Sequence, residues 1–181
     1  MRRFAAAVAL SAVLAFVVAG CGASAEEKWA GSVCSDVGDW KSEIQQNSDT
    51  ITSQLQSPKA GTLAAIDAEI QKAVDSTEQL ATELRSTNPP DTDAGKQANQ
   101  QLNALANQLD TTVTTAKQTV QSVPKDAGLG ERAQKLAPLV PAVSSLAVSA
   151  SSTLAAIQTR SDELKKGFDE ADSCKQFRNS N

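Results

Sequence analysis

Histidine is missing from all 181 residues. With it go the commonest general base, the usual activator of a nucleophilic Ser or Cys, and the commonest zinc ligand. Tyrosine is also missing, the one methionine is the initiator, and aromatic residues make up only 3% of the chain. No segment shows the two-residue alternation of a half-buried strand. There is no Gly-rich loop to cradle a phosphate, and none of the many Ser and Thr residues lies in a setting that activates a nucleophile. A basic stripe is lacking too: 17 Lys and Arg face 21 Asp and Glu, a formal net charge of −4. An acidic chain of this kind is a poor match for nucleic acid or for anionic lipid headgroups. These absences predict no catalytic residue, no metal site and no cofactor.

What is present begins at the N-terminus. Met1-Arg2-Arg3 is a basic start, Phe4 to Val17 is an apolar run broken only by Ser11, and Val18-Ala19-Gly20 leads into Cys21. A charged start, a short apolar run and small residues at the cut are the layout of a secretory signal. The apolar run is short for a spanning helix, which takes roughly 20 residues. Val18-Ala19-Gly20-Cys21 resembles the lipobox of bacterial lipoprotein precursors. That resemblance implies a diacylglycerol on the Cys21 thiol and cleavage between Gly20 and Cys21. It therefore implies a protein anchored by lipid to the extracytoplasmic face of the cell membrane. Removal of residues 1–20 leaves 161 residues, and loss of Arg2 and Arg3 shifts the formal charge from −4 to −6. In its composition the chain is similar to small Ala/Ser/Thr-rich lipoproteins of high-GC Gram-positive bacteria, a likeness of class that names no family for the domain.

With Cys21 assigned to lipid, Cys34 and Cys174 remain. An exported chain meets an oxidising environment, so the pair is expected to form a disulfide. Closing a loop of about 140 residues stabilises by roughly 5 kcal/mol in the chain-entropy model.

Residues 21–27 are small and polar and are expected to be a tether, with residues 28–181 forming one helical domain. In the first helix, from Trp29, apolar residues fall at steps of three and four: Val33, Val37, Trp40, Ile44, then Ile51 and Leu55. Ser57-Pro58 stops it. The second, about Thr62 to Arg85, carries a heptad seam of Leu63, Ile66, Ile70, Ala73, Thr77, Leu80 and Leu84. Asn88-Pro89-Pro90-Asp91 ends it, and Asp91 or Asp93 is placed to cap the third, about Asp93 to Ser122. Thr111 to Thr115 is an odd insert there, since β-branched residues lose rotamer freedom in a helix. The last segment divides into a helical turn over Glu131–Ala137 and a fourth helix over about Pro141–Gln176. A single longer helix kinked at Pro138 is the competing reading.

The predicted fold is therefore all-α, an antiparallel up-down four-helix bundle with a disulfide joining the start of helix one to the end of helix four. In that topology Cys34 and Cys174 lie at one end, and Trp29, Trp40, Phe168 and Phe177 are expected to pack around them. The rest of the core is rich in Ala, Ser and Thr and buries little area.

Two polar groupings merit weighing. Asp162, Glu163, Asp169, Glu170 and Asp172 alternate with Lys165, Lys166 and Lys175, which reads as a solvated face of ordinary ion pairs such as Glu163 or Asp162 with Lys166. Asn99, Asn103 and Asn107 form an amide stripe well off the Leu102–Leu105–Leu109 face, and read as neutral surface. An enzyme working through carboxylates alone is the least favoured function, and two others stand ahead of it. One is a non-enzymatic lipoprotein that binds or scaffolds another envelope component. The other is a sensor or carrier holding a small ligand between helices, where Thr77, Thr112, Ser161 and alanines line the seam. A space of several hundred Å³ favours the second, and tight Ala packing the first.

Overall fold

The computed structural model describes residues 22–57, 59, 61–124 and 126–179, so the signal expected over residues 1–20 and the lipidation expected at Cys21 lie outside the described residues. Among these, every regular element is an α-helix. In chain order they are α1 (Ala25–Gln56), α2 (Thr62–Ser86), α3 (Asp93–Gln121), α4 (Leu129–Leu136), α5 (Leu139–Gln158), α6 (Asp162–Glu170) and α7 (Asp172–Asn179).

Helix α1 starts four residues before Trp29. The Ser24 hydroxyl accepts the Glu27 amide at 3.0 Å, and Glu26 and Glu27 place negative charge at the positive end of the helix. The irregular lead-in is thus Gly22–Ser24, shorter than the tether the sequence suggests. Helix α3 is capped by Thr92, whose hydroxyl accepts the Gly95 amide at 3.0 Å, rather than by Asp91 or Asp93. The Thr run in α3 is tolerated because Thr111, Thr115 and Thr119 donate to the carbonyls of Asn107, Thr111 and Thr115, one turn back.

The expected fourth helix over Pro141–Gln176 is three helices. Pro138 precedes α5 and neither lies inside it nor kinks it. At Thr159–Ser161 the helix stops, and the extended Ser161 caps α6 by accepting the Leu164 amide at 3.2 Å. At Ala171 one extended residue divides α6 from α7.

The cross-helix pairs give the directions. On α1 and α2, Trp40 meets Thr77 and Asp36 feels Glu83, so one number rises as the other falls. On α2 and α3, Arg85 reaches Asp110 and Glu78 reaches Lys117, again antiparallel. On α3 and α5, Gln97 meets Arg160, two residues past the end of α5, while Leu139 at its start packs against the cluster of Val74, Val113 and Ala116. Along α1 and the C-terminal helices the order is reversed: Glu26 lies against Gly167, Trp29 against Phe168, Gly31 against Ser173, Cys34 against Cys174 and Gly38 against Phe177. These numbers rise together. The segment bearing Cys174 therefore runs parallel to α1, and reaches Cys34 because the chain turns back after α5, not because a long fourth helix ends there.

The disulfide is formed, with the two Cα atoms 5.0 Å apart. All four aromatic residues among the described ones, Trp29, Trp40, Phe168 and Phe177, are buried in the core cluster that includes both cysteines. Trp29 and Phe168 meet edge to face with ring centroids 6.0 Å apart. Leu80, Leu84, Leu102, Leu105 and Leu109 continue this filled region between α2 and α3.

Candidate functional site: an apolar cavity between helices

Away from the disulfide the packing changes. Midway along α2 stand Ala73 and Thr77 where its last turns carry Leu80 and Leu84, and α3 changes likewise from Leu102, Leu105 and Leu109 to Thr112, Val113 and Ala116. Short side chains on facing helices leave room that Leu fills elsewhere. The result is a partly open cavity of about 470 Å³, within the range of small-molecule sites.

Helices α1 to α5 all contribute to its wall. From α1 come Ile44, Ser48, Ile51 and Leu55, and from α2 Leu63, Ile66 and Ile70 beside Ala73 and Thr77. Helix α5 adds Leu139, Val143, Leu146 and Ala147. Short helix α4 closes one side with Leu129, Arg132, Ala133 and Leu136. None of its residues is buried, so α4 lies on the cavity as a cover and not as part of the core. The Arg132 guanidinium holds it to α2 through both carboxylate oxygens of Asp67, at 3.0 and 2.8 Å. A smaller hollow of about 310 Å³, lined also by Asp67, Val120 and Val123, shares Arg132 and Leu136 with the first.

The polar groups on the wall are few. Thr77 accepts the indole N–H of Trp40 at 3.0 Å and donates to the Ala73 carbonyl at 2.6 Å. The charged wall residues are Lys41 and Arg132, both cationic, and no carboxylate lines the cavity among the described residues. Lys41 also lies 5.5 Å from the centroid of the Phe177 ring.

Of the seam residues expected to line a ligand site, Thr77 and Thr112 do so, together with Ala73, Ala116, Ala133 and Ala147. Ser161 does not, because it caps α6. The acids near the C-terminus make ion pairs in a different pattern from the one expected: Lys165 with Asp169, Lys166 with Glu170, and Lys175 with Asp172. The lysine contacts pull the Asp169 and Asp172 carboxyls below the usual range, and backbone and Ser161 hydrogen bonds do so for Glu163. In the amide stripe, Asn107 accepts from Arg85. Sequence reasoning missed α4 as a wall element. Its signal was the apolar face Leu129, Ala133 and Leu136 at helical spacing between a glycine turn and Pro138. It also missed that residues 136–159 carry no charge. The stretch 129–158 is long and apolar enough by composition to cross a membrane, but it divides between α4 and α5, and Leu146, Ala150, Leu154 and Ile157 are buried in the protein core.

Comparison with known proteins finds no match to any family model, curated protein or solved structure.

Proposed function

We propose that this chain is a lipid-anchored extracytoplasmic protein, non-enzymatic, that holds a small apolar molecule between its helices. The cavity of about 470 Å³ carries this reading, because a bundle serving only as a scaffold has no use for unfilled apolar volume in its interior. Helices α1, α2, α3 and α5 would form the up-down core of the bundle, with α6 and α7 returning along α1. The antiparallel pairs Trp40–Thr77 and Glu78–Lys117 support that arrangement. Anchoring rests on the lipobox resemblance of Val18 to Cys21, and a buried disulfide is in keeping with export.

The test has two arms. Protein purified from its membrane is extracted with organic solvent and the extract weighed by mass spectrometry; a stoichiometric apolar compound is expected, and binding of no apolar probe at all would sink the cavity reading. For the anchor, Cys21→Ala is expected to leave the membrane fraction or to run as an uncleaved precursor. Retention there at the wild-type size would end the lipoprotein reading.

Binding of another envelope protein is the second reading. One observation favours it: the solvent face of α5 is uncharged, with Val148 69% exposed. Cross-linking in intact cells through a probe at Val148 tests it, and the expected outcome is one discrete adduct.

A further inference from the structure

Dimensions and charge narrow the ligand. On α1 the cavity wall runs from Lys41 to Leu55, and on α2 from Leu63 to Thr77. Each is fifteen residues of helix, fourteen rises of 1.5 Å or about 21 Å from end to end. The two helices are antiparallel neighbours, so both walls border one elongated space. The space is long, and its wall on these two helices is mainly aliphatic, from Ile44, Ile51 and Leu55 on α1 and Leu63, Ile66 and Ile70 on α2, which suits an extended polymethylene chain. The length also fits: a bilayer's hydrocarbon core of about 30 Å makes one leaflet's chain about 15 Å long.

We infer that the cavity takes the acyl chain of a single-chain lipid whose head is anionic or neutral. The inference rests on the proposed ligand-holding function and specifies its ligand. The charged wall residues are both cationic, Arg132 is paired with Asp67, and Asp67 is not itself a wall residue, so an ammonium head would find no carboxylate on the wall to pair with. The chain is not the one proposed for Cys21. Lys41, the first wall residue of α1, lies sixteen residues beyond Ala25, about 24 Å along the helix; a chain of about 15 Å on a tether of four residues, about 14 Å at full stretch, would pass the cavity mouth by only about 5 Å and leave most of the wall uncovered. The occupant is a separate, non-covalent molecule.

Fatty acids are the probe. The chain from Gly22 to Asn181 contains the whole described core, which extends from Trp29 to Phe177, and is titrated with saturated fatty acids of about eight to eighteen carbons. Affinity should rise about fourfold per methylene while the chain still has wall to cover, and then level off. Ala147→Phe, which intrudes on the cavity, should bring the plateau to a shorter chain, with helicity confirming that the variant is folded. An alkylamine with the plateau chain length should bind at least tenfold more weakly than the fatty acid. Affinity independent of chain length, or an alkylamine binding as tightly, overturns the inference. A fused-ring compound that binds where fatty acids do not overturns it while leaving the ligand-holding function in place. Binding of no apolar probe overturns both. The wild-type series decides the matter even if Ala147→Phe fails to fold.

Discussion

Gly167 lies where α6 crosses the first turn of α1, and a Cβ there would come within 2.7–2.9 Å of Glu26 backbone and side-chain atoms. Helix propensity favours alanine over glycine by about 1 kcal/mol, but a backbone contact this close cannot yield without moving a helix. Gly167→Ala is therefore expected to destabilise by about 1–3 kcal/mol, read as a lower thermal midpoint by circular dichroism. A raised midpoint would mean that α6 can retreat freely. Asp36 works the other way. Partial burial between α1 and α2 raises its pKa above 3.8, the carboxylates of Glu83 and Asp39 add to the rise, and a Ser32 hydrogen bond opposes it. A folded-state pKa above the unfolded one penalises the native state at neutral pH, and the penalty disappears as pH falls below the unfolded value. Asp36→Asn should thus stabilise at pH 7, by less than about 1 kcal/mol because the site is partly solvated. The gain should vanish near pH 3; one that persists there comes from something other than charge. Of these residues, the sequence made the disulfide cysteines and their aromatic neighbours legible, because redox compartment and helix order both constrain them. Gly167 was not legible: its role depends on a crossing that no local pattern encodes.

At the level of the helices, α2 and α3 were readable almost to the residue, since an unbroken heptad seam lies between strong stops. The break at Thr159–Ser161 was hidden because Ser161 falls at seam spacing, so periodicity alone carries the helix through it. The missed signal was chemical: a serine followed directly by Asp162 and Glu163 is an N-cap with acids in the first turn. Ser161→Ala should cost about 1 kcal/mol. It should also raise amide exchange in Leu164 and Lys165 before it affects α3. An unchanged exchange pattern would show that α6 is held by its packing on α1 and not by its cap.

The whole molecule is asymmetric, and its stability should be so too. Around the disulfide, Leu105 is 1% exposed in a filled core, so its truncation leaves a new void. Ile66 is nearly as buried, at 5%, but lines a space that is already empty. Its outer atoms have fewer partners to lose, and neighbouring side chains are freer to move inward. Leu105→Ala is accordingly expected to cost about 3–5 kcal/mol and Ile66→Ala about 2 kcal/mol or less, measured by urea unfolding with unchanged slope. A bound ligand should reverse part of this ordering. A compound that fills the cavity stabilises by RT ln(1 + [L]/Kd), and that gain should fall for Ile66→Ala, whose wall offers the ligand less contact. For Leu105→Ala the gain should match the wild type, because the deleted atoms lie outside the cavity wall. Equal costs for the two truncations would mean that the open half collapses around its space in solution, and a ligand gain lost in Leu105→Ala would mean that the two halves fold as one packed unit. The predicted pattern instead places rigidity at the bridged end, where Cys34 meets Cys174, and adaptable volume at the end farther from Ala25.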